Sequence, residues 1–375
     1  MSFQSFFMGG FECSTHRNLS RTRLDMVSST KHDCYVLKDY QRLNSIGIKT
    51  VREGIRWHLI ERRQDLYNFS SVLKIIKAAN KTQTQVLWDL IHYGWPDHID
   101  IFKPDFIRRF KRFTKAFINF LVNETDQLPF ITPINEISYV SWACGEVGYM
   151  YPYCYTKSYE LKMQLVRATI EAIEVIWLKR PDSRILNIDP SVYVIPANDT
   201  NDDRLLARQF NELQYQARDM LIGRTEPQLG GDEKYLDIIG INYYPFNQWI
   251  HNVILNSDDV IESENYNFFK PFNLILEEVY TRYNRPIFIS ETGTEGNQRV
   301  NWLIYLYNEV LLAIERDIPI QGVCWYPILN TLHWDTNRYC PNGLWDFSND
   351  KGEREIYEPL AREFKRLIND KLVQA

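Results

Sequence analysis

Eight short apolar runs, each followed by a longer amphipathic stretch, are what most constrains the fold of this chain of 375 residues. The runs cover 6–11, 50–55, 86–91, 130–134, 184–188, 238–242, 286–290 and 322–325. Apolar runs this short read as strands buried on both faces. Helical spacing recurs between and after them over 35–43, 105–122, 158–178, 203–221, 273–283, 301–315 and 358–367. Strand–helix alternation means parallel strands joined by crossover helices. Eight such units favour a closed (β/α)8 TIM barrel over a doubly wound sheet, and no Gly-rich dinucleotide fingerprint follows any run. No stretch reads as a linker, so residues 1–375 are expected to form a single α/β domain. The polar segment 197–203 reads as a loop. The segment 245–270 reads as a rim loop on the face where barrels build their sites.

Composition narrows the partners. The net charge of −5 and the lack of a long basic run argue against nucleic acid. The cluster Arg108-Arg109-Phe110-Lys111-Arg112 has Phe at helical spacing and reads as the solvated face of a helix. The cysteines at 13, 34, 144, 154, 324 and 340 are scattered, without a CxxC pair, so neither a disulfide scaffold nor a zinc site is expected. No window approaches the ~18 apolar residues of a membrane span, and the N-terminus lacks a basic n-region. A cytoplasmic protein with reduced thiols is the expectation. His92 and His98 have no carboxylate–His pattern around them, so no metal and no cofactor is expected. Gly-x-Ser-x-Gly is absent, which removes support for a serine nucleophile.

Two strings carry chemistry. Ile134-Asn135-Glu136 and Ile289-Ser290-Glu291-Thr292-Gly293 each put a glutamate at the end of an apolar run. Burying a carboxylate is costly unless something pairs or uses it. In a barrel both lie at the C-terminal face, at the ends of the fourth and seventh strands, so two carboxyls flank one mouth. Two carboxyls are what hydrolysis of a glycosidic bond needs. Aromatics make up 14% of the chain, enough to spare flat faces for sugar rings.

Further strings join these. Val51-Arg52-Glu53-Gly54-Ile55-Arg56-Trp57, His92-Tyr93-Gly94-Trp95-Pro96, Thr132-Pro133-Ile134-Asn135-Glu136, Gly240-Ile241-Asn242-Tyr243-Tyr244 and Ser290-Glu291-Thr292-Gly293 run in order along the chain. Together they resemble the clan A glycoside hydrolases, and within them family 1, the β-glucosidase family. The resemblance implies that Glu136 is the general acid/base and Glu291 the nucleophile. It implies that Arg52 holds Glu291 ionised and that Tyr244 donates a hydrogen bond to it. Asn135 would bind the sugar 2-hydroxyl, His92 another hydroxyl, and Asn242 would join the substrate site.

Two glycone-reading positions depart from the family pattern. After the eighth strand, Trp325-Tyr326-Pro327-Ile328-Leu329-Asn330-Thr331-Leu332-His333-Trp334 puts His333 where the family has a glutamate, with one extra residue. Trp325 and Trp334 are expected to form a stacking floor. After the first strand, His16 replaces a glutamine. Arg17 and Arg338 could meet an anionic group, and otherwise read as solvated surface. The expected activity is that of a retaining β-glycoside hydrolase whose glycone is not plain glucose, acting on a small carbohydrate. The alternatives are a transglycosidase, whose acceptor would lie among Trp142, Tyr149, Tyr151, Tyr153 and Trp249, and a non-catalytic carbohydrate-binding barrel.

Overall fold

The structure, a computed structural model, describes residues 2–251 and 270–370. Most of the expected rim loop at 245–270 lies outside the described residues. Eight strands form the centre: β1 (Phe7–Gly10), β2 (Thr50–Gly54), β3 (Gln85–Ile91), β4 (Phe130–Ile134), β5 (Arg184–Pro190), β6 (Ile238–Asn242), β7 (Ile287–Thr292) and β8 (Ile320–Trp325). They close into a barrel in chain order, β8 returning to β1, and every pairing is parallel. The (β/α)8 TIM barrel expected from the alternation is therefore the fold.

Strand alternation sorts side chains between two cores. Met8, Leu87, Phe130, Leu186, Ile188, Ile238, Phe288 and Cys324 point into the barrel, where Phe3 plugs the floor against Phe130 and Phe288. The larger core lies between the strands and the helices. The basic cluster falls on the helix Asp105–Glu124. Phe106, Phe110, Phe113 and Phe117 are buried there, and Arg108, Lys111 and Arg112 face solvent. Arg109 departs from the solvated reading: it is buried and paired with Glu61 at 2.6 Å.

Two elements differ from expectation. The helix Ser70–Thr82 is not among the named helical stretches, although Val72, Ile76 and Ala79 give it a buried stripe at helical spacing. The stretch 203–221 is two helices, Asn201–Leu213 and Gln216–Leu221. Gln214 breaks it: its side chain bonds both the N–H and the C=O of Val192, a tertiary tie that periodicity does not register. Among the described residues, no helix is long and apolar enough to cross a membrane.

Candidate active site

Side chains at the C-terminal ends of the strands meet around Arg52. It is on the inward-facing parity of β2, while its neighbour Glu53 faces outward to Tyr40 and His32. The Arg52 guanidinium is fully buried. Its Nη1 donates to Glu291 Oε1 at 2.6 Å and to the Ser290 carbonyl at 3.1 Å. Its Nη2 donates to Asn135 Oδ1 at 2.7 Å and lies 2.6 Å from Asp89 Oδ2. An unpaired buried guanidinium would be very costly, and two carboxylates settle this one.

Alternation alone would turn Glu291 outward. Phe288 points into the barrel, Ile289 packs in the outer core, and Ser290 faces in, donating to Asn242 Oδ1 at 2.6 Å. The β6–β7 register then shifts between Ile241↔Ile289 and Asn242↔Glu291. A bulge of this kind re-aims a side chain, and here two consecutive residues face inward. Glu291 also receives Tyr244 Oη at 3.0 Å and Asn135 Nδ2 at 3.3 Å.

Glu136 reaches the same mouth by another device. Its backbone is left-handed, at φ 51° and ψ 60°, two residues past the end of β4. Asn135 and Glu136 therefore both point inward. Asn242 Nδ2 donates to Glu136 Oε1 at 2.8 Å, and the Tyr93 hydroxyl donates to Oε2. Burial, followed by the charge of Glu291, pushes the Glu136 carboxyl up to about 8, against the pull of these two donors.

The remaining sequence candidates divide. Trp334 stands at the mouth, edge-on to His16 with centroids 4.7 Å apart and to Tyr93 at 5.6 Å. His16 is buried at 2% exposure. His92 engages both ring nitrogens within the protein, Nδ1 with Asp89 at 3.0 Å and Nε2 with the Tyr326 hydroxyl at 3.2 Å. Asn242 is placed on Glu136 rather than toward open space.

One expectation needs correction. Trp325 is not part of a stacking floor. It takes the outward parity of β8, packs edge-on to Phe364 at 5.9 Å, and donates to the Asn342 carbonyl at 2.9 Å. Its neighbour Tyr326 faces in, under the Arg52 guanidinium at 5.3 Å. His333 uses Nδ1 within its own loop, accepting the N–H of Asp335 at 3.2 Å and closing a turn.

Sequence reading missed Asp89, Tyr93, Tyr326 and Glu12. Asp89 interrupts the apolar run 86–91 and Glu12 follows the run 6–11, so the rule that singled out the two glutamates would also have found these. Cys13, Asp89 and His92 each offer a ligand atom within 4.8 Å of the others, a spacing that could admit a metal ion. Asp89 already spends Oδ2 on Arg52 and His92 and Oδ1 on Arg52 Nε at 3.2 Å, so the trio acts as a brace beside a guanidinium.

No protein-family model matches the chain, and no curated protein matches it. Solved structures do. A β-glycosidase from Pyrococcus horikoshii aligns at 17% identity with TM-score 0.79, covering 99% of this chain and 96% of its own. A β-glucosidase from Thermotoga maritima in complex with glucoimidazole aligns at 15% identity with TM-score 0.78, covering 97% of each. The virulence factor SghA from Agrobacterium tumefaciens aligns at 14% identity with TM-score 0.79, over 97% and 96%. The fold is that of the family 1 β-glucosidases. At such identities the likeness is one of architecture, and it spans nearly the whole chain.

Proposed function

We propose that this protein is a retaining β-glycoside hydrolase, with Glu136 as acid/base and Glu291 as nucleophile. The observation that carries the reading is the contrast between two carboxyls on one mouth. Glu136 is pushed up to about 8, while Glu291 accepts hydrogen bonds from Arg52, Tyr244 and Asn135. Two carboxyls in unlike surroundings are how one site holds an acid and a nucleophile at the same pH.

In the first step Glu291 attacks the anomeric carbon while Glu136 protonates the departing oxygen. The C1–O bond to the leaving group breaks as the C1–O bond to Glu291 forms. In the second step Glu136, now a carboxylate, takes a proton from water, and that water displaces Glu291 from C1. Arg52 and Tyr244 hold the nucleophile on its trajectory throughout. Asn135 borders Glu291 where a 2-hydroxyl of the glycone would lie. Trp334 and His16 line the mouth. The altered positions around His16 and His333 support a glycone other than plain glucose. The free cysteines suit a reducing compartment such as the cytoplasm.

Transglycosylation is a second reading with one feature in its favour. Tyr93, on Glu136, leads through Tyr139 at 5.5 Å to the exposed Trp142 at 5.8 Å, an aromatic path on which an acceptor sugar could stack. A barrel that only binds carbohydrate would have no need of so fully braced a pair of carboxyls.

The test is a panel of aryl β-glycosides with an activated 2-fluoro sugar as trap. A covalent adduct on Glu291, lost in Glu291→Gln, is expected. Turnover with no adduct and with inverted product would sink the retaining assignment. The two carboxyls of a liganded crystal structure should then stand about 5–5.5 Å apart.

A further inference from the structure

The proposed chemistry leaves one carboxyl of the mouth unassigned. Glu12 lies two residues past β1, on the parity of Met8 and Gly10. Met8 packs inside the barrel, and a Cβ on Gly10 would run into the Tyr326 ring, so this parity faces inward. Ser14 anchors one oxygen of Glu12, its N–H donating to Oε1 at 2.8 Å and its hydroxyl donating to the same atom. Oε2 accepts no hydrogen bond among the described residues. The side chain is half-buried, close enough to Glu291, Tyr244 and Tyr326 to act on or feel each of them electrostatically. A carboxyl with one oxygen fixed and the other without a donor is an acceptor that a ligand hydroxyl can satisfy.

Two further observations define the donor. His16 is 2% exposed, and its Nδ1 has no partner among the described residues. Burial and nearby cations hold its pKa down to about 3, so it stands neutral, able to give one hydrogen bond and receive another. The arginines that sequence reading set against an anionic sugar are engaged elsewhere. Arg17 pairs with Asp97, which also holds Arg23, and Arg338 pairs with Glu295 at 2.7 Å.

We infer that Glu12 determines glycone specificity, its free oxygen accepting hydrogen bonds from hydroxyls of a neutral β-pyranoside and repelling sugars that bear a carboxylate or phosphate. Discrimination of this sort comes from an added repulsion as well as an attraction. The inference rests on the glycosidase reading only for its reporter reaction.

The experiment compares the full chain with Glu12→Gln and Glu12→Asp on 4-nitrophenyl β-glucoside, β-galactoside, β-fucoside, β-glucuronide and 6-phospho-β-glucoside. The unaltered protein should favour its best neutral substrate over both anionic ones by at least about 100-fold in kcat/KM. Glu12→Gln should lower the neutral value by about 10- to 100-fold, the weight of one or two hydrogen bonds to a charged acceptor. It should also narrow the neutral-over-anionic preference at least tenfold. Glu12→Asp keeps the charge and shortens the reach, so it should lose neutral turnover yet still reject the anionic sugars. Wild-type kcat/KM and preference in Glu12→Gln, or a wild type that favours the glucuronide, would overturn the inference. If the unaltered protein cleaves nothing, the hydrolase reading fails. Calorimetric titration with methyl β-glucoside, β-galactoside and β-glucuronide then decides this one: neutral binding lost in Glu12→Gln upholds it, and equal binding by both proteins overturns it.

Discussion

Glu136 sits at φ 51° and ψ 60°, where a residue with a Cβ is strained by about 1 kcal/mol or more. The strain turns its carboxyl into the mouth beside Asn135. An acid at this position works while protonated, so kcat/KM should hold through neutral pH and fall as pH rises through about 8. Glu136→Ala should remove that alkaline limb. It should slow poor leaving groups by roughly 100-fold or more and activated aryl glycosides far less, with azide accelerating the latter. Neither leaving-group dependence nor azide rescue would mean that another group supplies the proton. Tyr93 and Asn242 donate to the Glu136 carboxylate and thereby favour its charged form. Tyr93→Phe and Asn242→Ala should therefore move the alkaline limb upward, by about half a unit to one unit. A limb that stays in place or moves downward in both variants counts against Glu136 as the titrating acid. The acid/base role of Glu136 was expected from the resemblance. The two donors were not, because they come from the loop after β3 and from the end of β6.

Within an element, parity decides what a residue is for. Along β8, Cys324 faces the barrel interior, Trp325 the helices and Tyr326 the mouth. Trp325→Phe should lower stability by about 1–3 kcal/mol, through the lost indole hydrogen bond and volume, and leave kcat/KM near wild type. Tyr326→Phe removes the hydroxyl that meets His92 and Cys13. It should cost about tenfold in kcat/KM with little change in melting temperature. The opposite pattern in urea melts and kinetics would return Trp325 to the site. Strands were legible in the sequence to within two residues or so at each end, because burial on both faces leaves an apolar run whatever the partner strand is. Faces were legible only where alternation holds. It holds at Arg52 and at Glu12. It fails at Glu291, where a bulge intervenes, and at Glu136, where the backbone turns left-handed.

For the whole molecule, a buried ion network ties the C-terminal segment to the barrel. His32 Nε2 and Nδ1 meet Glu53 Oε1 and Asp39 Oδ2, both at 2.8 Å, and Arg354 closes on Asp39 at 2.7 Å. Burial alone would lower the His32 pKa, but Glu53 and Asp39 lift it from 6.5 to about 9. The folded state thus binds a proton more tightly than the unfolded chain does. Its stabilising effect is full below about 6.5 and is lost as pH rises through about 9. Melting temperature should decline across that window. His32→Gln should be lower by about 3 kcal/mol in stability at pH 6 and should flatten the decline, since it leaves the buried carboxylate of Glu53 without its cation while Asp39 keeps Arg354 and Arg42. A wild-type melting temperature that stays level from pH 6.5 to 9 would show that His32 is neutral in the fold. The sequence by itself determined the barrel, through eight buried runs with crossover helices. It also determined the two glutamates, because a carboxylate beside an apolar strand stands out against the cost of burying it. Tertiary structure alone decided the partners. Arg52 and Glu291 lie 239 positions apart in the chain and 2.6 Å apart in space. The bulge, the left-handed turn and the brace on Asp89 are set by which strands close the barrel side by side, and periodicity in one strand carries no record of its neighbour.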